Sequence, residues 1–362
     1  MTSLRRIKER IQGVKSTRQI TSSMKVVALA RLKRLHQNFV KTEAYSLEIT
    51  RMVRRLLRSV AQKQEELNAQ SLEDISLIPD VLAGRKEEKN FLIGIVTSDD
   101  GLSGISNFQV VEKAIEVIHY LEGQGKKVHV VCLGEKGAEI LKRLLDRSIL
   151  TFSRKSHNNS SLYTDAEVIT ACLLEEFYKR RFDTCLLVHN QFKSILVQKP
   201  TISQLIPNKL FSEENPWDFL IKNKTPDYVK KDALGQEKIV LSDSNFLKAI
   251  GGAKVLSPTL NVSRSLINEG VRDTWLYDYS PSDEEILLEI LPQYLTACVY
   301  RILIETDVSD NAARVMTMDN STRNADQMLE NLRKIYAKTR QNIITTDLVE
   351  RVGALSSFED EV

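Results

Sequence analysis

The stretch "RRIKERIQGVKSTRQITSSMKVVALARLKR", residues 5–34, begins a hydrophobic repeat that continues far along the chain. Steps of alternately three and four residues lead from Leu4 to Val60 without a slip, and twelve of the seventeen positions are apolar. A strict seven-residue repeat kept this long predicts a helix that supercoils with another helix, about 85 Å long. We call the row of repeat positions that would face the partner helix the seam. In this helix it consists of Leu4, Ile7, Ile11, Val14, Arg18, Thr21, Lys25, Ala28, Leu32, Leu35, Phe39, Thr42, Ser46, Ile49, Val53, Leu56 and Val60.

The C-terminal part of the chain carries the same spacing in a segment without glycine or proline, between Pro292 and Gly353. One chain with a long heptad helix at each end most simply pairs the two helices antiparallel, and a parallel homodimer is the alternative. The second seam consists of Val315, Met318, Thr322, Ala325, Leu329, Leu332 and Tyr336.

Both seams are interrupted by polar residues, which pack poorly between helices. A polar seam residue costs stability and commonly fixes the register, but a cluster in each helix also suggests that a third surface contacts the coil there. The polar positions are Arg18, Thr21 and Lys25 in the first helix, and Thr339 and Thr346, which flank Arg340 and Gln341, in the second.

The middle of the chain alternates strand and helix patterns, which predicts a central parallel βαβ domain of the Rossmann-like kind, covered by helices on both faces. Strands are predicted at 91–97, 127–133 and 184–190, and helices at 107–121, 135–146 and 165–181. The predicted domains are an N-terminal coiled-coil helix (1–78), the α/β domain (90–207), an irregular insertion (208–272) and a C-terminal coiled-coil helix (282–362).

Gly101 and Gly104 lie between a predicted strand and a predicted helix, where a dinucleotide pyrophosphate could bind. The full glycine fingerprint is absent, and Asp99 and Asp100 would repel phosphate. A plain turn with helix capping is therefore favoured over a dinucleotide-dependent enzyme.

Composition excludes several classes of protein. The histidines 36, 119, 129, 157 and 189 show no ligand spacing, and the four scattered cysteines suggest buried reduced thiols. We expect no cofactor, no metal, no secretory signal and no membrane span, and no catalytic motif stands out. Residues 1–60 hold fifteen Lys or Arg against three Glu, which fits either a solvated face or a polyanionic, membrane or acidic partner.

Five segments together are similar to one known family. They are residues 5–34, with Ser23-Met24-Lys25; "SDDGLSG" (98–104); "KPTISQLIP" (199–207); "SDNAARVMTMDNSTRNA" (309–325); and "RQNIITTDLVE" (340–350). The chain resembles the gamma subunit of rotary F-type ATP synthases of the bacterial type, over nearly its whole length except 208–272.

The resemblance implies a non-catalytic rotor shaft. In that family an antiparallel coiled coil turns inside a hexamer of alpha and beta subunits and couples the proton-driven membrane ring to conformational change at the catalytic sites. The implied partners are this hexamer, an epsilon-type stalk subunit and the membrane ring, with no nucleic acid. The implied location is peripheral, on the cytoplasmic face of a bacterial inner membrane. A basic coiled coil that binds nucleic acid is the alternative reading.

The resemblance also implies contact residues. Met24 and Lys25 fall near the acidic catch of the beta subunit, and Arg340 and Gln341 match the pair that grips a beta-subunit loop. Thr345 and Asp347 lie close by, with Asp347 where many members have Glu. The segment Tyr277, Asp278 and Tyr279 aligns with the foot that touches the membrane ring, for which ordinary packing is an equal alternative. The acidic end "SSFEDEV" and the insertion depart from the family pattern.

Overall fold

The computed structural model describes residues 2–70, 79–85, 88–145, 150–152, 159–208, 229–231, 237–239 and 282–359. These residues form six helices and seven strands. The helices are α1 (Thr2–Gln70), α2 (Asp80–Ala83), α3 (Ser106–Gly123), α4 (Glu135–Leu144), α5 (Asn159–Tyr178) and α6 (Asp283–Glu359). The strands are β1 (Asn90–Val96), β2 (Lys127–Leu133), β3 (Leu150–Phe152), β4 (Thr184–Phe192), β5 (Gln198–Ile206), β6 (Val229–Lys231) and β7 (Glu237–Ile239).

The chain divides into two compact units. The first combines Met1–Arg31 with Arg314–Val362, and the second is Leu32–Ala313. Each unit contains part of α1 and part of α6. The four predicted domain ranges divide the chain by type of secondary structure, so they do not correspond to these two units. They stay a prediction.

The two terminal helices are long and carry the predicted apolar stripes, and α1 is longer than the predicted length of about 85 Å. Helix α1 has 69 residues and α6 has 77, so they are about 100 and 115 Å long at 1.5 Å per residue. Every predicted seam position of α1 from Ala28 to Val60 is buried. In α6 the seam residues Val315, Met318, Ala325, Leu329 and Leu332 are buried as well.

Helix α6 begins where its sequence provides a cap. The hydroxyl of Ser282 accepts a hydrogen bond from the backbone N–H of Glu285, at 3.3 Å. The first turn carries Asp283, Glu284 and Glu285, whose charges favour a helix N-terminus. The helix continues through Pro292, so this proline does not end it.

One 18-residue window of α6 is apolar enough, by length and composition, to cross a membrane, which the sequence analysis did not expect. Half of that window is buried inside the protein. The buried share is explained by packing, because Leu287, Leu291, Leu295 and Leu303 lie in the core of the second unit.

A five-stranded sheet forms the centre of the second unit, in the order β3-β2-β1-β4-β5. Strand β1 pairs in parallel with β2 and β4, and β2 pairs in parallel with β3, as the alternating pattern predicts. Strand β5, which was not predicted, is antiparallel to β4, so the sheet is mixed and the parallel prediction holds for β1 to β4 only. The link of residues 193–197 is too short for a parallel crossover, so the chain returns as a hairpin.

The sheet is buried on both faces by separate apolar clusters. On one face, Phe91, Ile93 and Ile95 of β1 pack with α3 and α4. On the other face, Leu92 and Val96 pack with α5 and with the parts of α1 and α6 that belong to this unit. This arrangement holds the parts of α1 and α6 that belong to this unit against one side of the sheet.

Candidate functional site

Within the first unit, α1 and α6 contact each other through polar side chains. Arg18 Nε donates to a carboxylate oxygen of Asp326, and the hydroxyls of Thr21 and Thr322 are 2.9 Å apart. Lys25 Nζ lies 2.5 Å from Asp319 Oδ1. Residue numbers rise along α1 while those of the partners fall along α6, so the two segments run antiparallel.

Asp319 is the most buried of these residues, with 7% of the surface of the whole residue exposed. It binds two cations, because Arg323 Nε lies 2.9 Å from Oδ2 while Lys25 occupies Oδ1. The polar interruption in the α1 seam is therefore matched by polar residues of the same chain. For this part of the seam, the fixing of register explains the residues without a third surface.

Met24 and Lys25, the predicted contacts in α1, have different environments. The Met24 side chain is 41% exposed, whereas Lys25 is engaged with Asp319. A contact between Lys25 and another subunit would have to be made with the part of its side chain that stays accessible, 27% of its surface.

Most of the polar residues that interrupt the seam of α6 are exposed, in contrast to the paired residues of α1. Arg340, Gln341, Thr345 and Asp347 are all exposed. The Thr345 hydroxyl donates to the carbonyl of Gln341 at 2.9 Å, a bond within the helix. Arg340, Gln341 and Thr345 line one shallow groove of about 320 Å³. The structure thus brings together three of the predicted contact residues.

The same unit exposes large apolar side chains near these residues. In α6, Ile344, Leu348 and Val349 are 48%, 57% and 65% exposed. Sequence analysis did not single these residues out, because they lie outside the seam positions. Apolar residues clustered on a surface are typical of a site that another protein covers.

The turn at 97–105 in the second unit is held by its own side chains. Asn107 Oδ1 accepts from the backbone N–H of Ser98 at 3.2 Å, and Asn107 Nδ2 donates to the hydroxyls of Ser98 and Ser103. Asp99 Oδ1 accepts from the first amide of α4, Glu135 N–H, at 2.9 Å. These bonds hold a plain turn, as the sequence favoured; the Asp99 bond caps α4, whereas the N-cap residue of α3, Ile105, makes no side-chain capping bond.

In the second unit, polar bonds attach α6 to the end of β4. Glu305 Oε1 accepts from the backbone N–H of Phe192 at 3.3 Å, and the Ser309 hydroxyl donates to the carbonyl of Asn190 at 3.1 Å. Asn190 Nδ2 in turn donates to the Ser106 hydroxyl at 2.8 Å, at the start of α3. Sequence analysis missed Glu305 and Asn190, although Ser309 begins one of the family-like segments.

The remaining predicted contact residues, Tyr277, Asp278 and Tyr279, lie outside the described residues. The predicted insertion 208–272 is described only at Asn208, β6 and β7, and β6 and β7 form a two-stranded antiparallel pair. Within the described residues, no group of three or more His, Cys, Asp or Glu side chains could hold a metal ion.

Comparison with known proteins gives one consistent result. A family model described as ATP synthase matches residues 3–358. The chain is 28% identical over 359 residues to the ATP synthase gamma chain of Pelagibacter ubique, covering 99% of this chain and 100% of that one. It is 29% identical over 358 residues to the gamma chain of Rhodospirillum rubrum, with the same coverage.

Solved structures are similar to this chain in fold. A chain of the Euglena gracilis mitochondrial ATP synthase, solved with OSCP, F1 and c-ring, matches with a TM-score of 0.54 at 16% identity. That match covers 99% of this chain and 95% of the Euglena chain. A second match, to the rotor of the same enzyme, has a TM-score of 0.50 at 17% identity and covers 95% of this chain and 99% of the other.

Proposed function

This chain belongs to the ATP synthase gamma family, and from that membership we propose that it is the central rotor shaft of a bacterial ATP synthase. The chain itself is not catalytic, since in this family the catalytic sites lie in the beta subunits. Its α1 and α6 are proposed to form an antiparallel coiled coil that turns inside the alpha/beta hexamer. The pairs Arg18–Asp326, Thr21–Thr322 and Lys25–Asp319 support this arrangement, because they fix one antiparallel register.

One contrast within the first unit carries the proposal. The polar seam residues of α1 are paired with α6, whereas Arg340 and Gln341 are exposed on a surface that also exposes Ile344 and Leu348. A guanidinium in this position can offer a forked pair of donors to a carboxylate on another subunit. We propose that Arg340, Gln341, Thr345 and Asp347 contact a loop of the hexamer.

Such a contact suits a rotating shaft. Charge-assisted hydrogen bonds contribute about 1.5–3 kcal/mol each, so a bidentate Arg340 contact can bias one orientation of the shaft and still be broken at each step. A shaft that contacts different subunits at different angles changes their relative affinities for nucleotide. The proposed roles of Met24 and Lys25 are weaker contacts with the same hexamer.

Further partners are proposed from the family resemblance. They are an epsilon-type stalk subunit and the membrane rotor ring, the latter contacted by Tyr277, Asp278 and Tyr279. The proposed location is the cytoplasmic face of the inner membrane, as part of the peripheral complex.

The test is a double variant, Arg340→Ala with Gln341→Ala, purified within the assembled complex. Neither residue packs in the apolar seam, so we expect one copy of the variant chain per hexamer, as for the wild type. ATP hydrolysis and proton pumping should fall several-fold. The control is Arg333→Ala, which removes the same charge from an exposed position one heptad earlier in α6.

The outcomes distinguish a contact with the hexamer from a structural role of these residues. Loss of assembly in the double variant would assign these residues a structural role, and unchanged turnover and pumping would refute the contact. An equal loss in Arg333→Ala would show that charge alone matters. The nucleic-acid alternative has no support from the comparisons, and the complete absence of duplex DNA retention at low salt would remove it.

A further inference from the structure

The second unit contains a cavity that the shaft function does not use. Its volume is about 440 Å³, within the range of small-molecule sites in proteins. Helix α1, strands β4 and β5 and helix α6 all contribute to its wall. The cavity therefore lies within one compact unit, between the sheet and the two long helices.

Cationic side chains dominate the charge of this wall. Arg51, Arg54 and Arg301 line the cavity, while Glu305 is the one acid among the described residues that line it. Arg51 forms an ion pair with Glu48, so Arg54 and Arg301 are the candidates for a ligand contact. The Glu305 carboxyl interacts electrostatically with Arg301, but burial raises the pKa of this carboxyl to about 7, so near neutral pH it offsets the two cations only in part.

Both of these arginines have an unsatisfied donor. The Nε atoms of Arg54 and Arg301 are buried from solvent, and neither has a hydrogen-bond partner within the part of the chain that the structure describes. Buried polar groups in native proteins are almost always hydrogen-bonded. A guanidinium Nε–H without a partner at the wall of a cavity is the arrangement expected when its acceptor is a ligand.

The rest of the wall indicates which acceptor fits. Hydroxyl groups of Ser46, Thr50 and Thr201 line the cavity and can donate to further oxygens of an anion. Leu47, Leu205 and Ile302 add apolar surface, which a bare inorganic ion would not use. Guanidinium groups favour planar, bidentate pairing with phosphate oxygens.

We propose that this cavity binds the phosphate group of a small organic molecule through Arg54 and Arg301. The phosphate oxygens accept from the two guanidinium groups, and the organic part lies against the apolar portion of the wall. Since the cavity lies between the sheet and parts of the two long helices, the ligand would stabilise the second unit, which contains the C-terminal part of α1 and the N-terminal part of α6.

The experiment measures binding of three probes to the purified full-length chain by isothermal titration calorimetry, at constant ionic strength. The probes are inorganic phosphate, ribose 5-phosphate and ribose without phosphate. We expect ribose 5-phosphate to bind and ribose not to bind. Phosphate binding as tightly as ribose 5-phosphate would overturn the organic part of the proposal and leave a simple oxyanion site.

Two variants and one control locate the site. Arg54→Gln and Arg301→Gln should each weaken ribose 5-phosphate binding by about tenfold or more, since each loses a charge-assisted contact. The matched control is Arg58→Gln, one helical turn further along α1, exposed and outside the cavity, which should bind as the wild type does. If Arg301→Gln does not fold, Arg54→Gln decides the question alone. No binding by the wild type at millimolar probe, or equal binding by Arg54→Gln, would overturn the proposal.

Discussion

Asp319→Asn is the substitution that most sharply tests the pairing of the two long helices. The change keeps the size of the side chain and one oxygen acceptor, but it removes the charge that holds both Lys25 and Arg323. Both cations then lose the charge of Asp319, and Lys25 loses it where only 27% of its side chain is exposed. We therefore expect the variant to loosen the first unit without altering its fold.

The expected loss follows from burial. The side chains of Asp319 and Lys25 are 11% and 27% exposed, so their charge-assisted bond contributes about 1.5–3 kcal/mol. Arg323 is 44% exposed, so its bond adds little after screening by solvent. The total corresponds to a roughly tenfold to hundredfold increase in local opening.

A matched control lies one heptad further along α6. Asp326 pairs with Arg18 in the same geometry, but the two side chains are 50% and 45% exposed. Exposed ion pairs contribute about 0–1 kcal/mol, so Asp326→Asn should raise opening less than about fivefold.

The assay is hydrogen exchange of the backbone amides in residues 312–330, followed by mass spectrometry on the full-length chain. Exchange in this segment reports the free energy of local opening. Equal effects of the two substitutions would refute the argument from burial, and no effect of either would refute the pairing itself.

Three further predictions address other parts of the chain. Burial raises the pKa of Glu305 to about 7 from 4.5, so the folded protein holds this proton more tightly than the unfolded chain, and its stability should fall as pH rises from 4.5 to 7. Glu305→Gln should remove that component, at most about 1.4 kcal/mol per pH unit, as measured by urea unfolding of wild type and variant side by side. If the free energy of unfolding changed equally with pH in the wild type and in Glu305→Gln, this prediction would be contradicted. Replacing residues 212–270 with a short Gly/Ser linker should preserve the circular dichroism of the α/β fold and hexamer binding, and aggregation would place the segment in the core. Deleting residues 358–362 should keep assembly and ATP hydrolysis of the complex within about twofold, whereas loss of the complex would show a required contact.

The long helices were predictable because a seven-residue apolar repeat places all its apolar residues on one face of a helix, which must then be buried. Ten consecutive seam positions from Ala28 to Val60 are buried, as the spacing required. The strands β1, β2 and β4 were predictable as well, since each is a short apolar run between turns. Strand β5 was missed because "QKPTISQLI" contains a proline and mixes polar with apolar residues, which an edge strand tolerates.

The partners of the polar seam residues could not be read from one helix alone. Arg18 and Lys25 occupy seam positions seven residues apart, while Asp326 and Asp319 flank the seam of α6, also seven apart. That shared spacing was the signal available, but it becomes a prediction only once the register of the two helices is known. The cavity at Arg54 and Arg301 had no sequence signal, because its wall combines α1, the β4–β5 hairpin and α6, which are distant along the chain.

Rotation of this chain within the assembled complex tests the central claim most directly. Cys172 in α5 is exposed, whereas Cys132 and Cys185 are buried and Cys298 is partly buried, so a maleimide-linked bead can be attached through Cys172. The Cys172→Ser variant serves as the unlabelled control. With the hexamer fixed to a surface and ATP added, the bead should turn in one direction, with one step for each catalytic site. A bead that stays still while the same complexes hydrolyse ATP would contradict the rotor function.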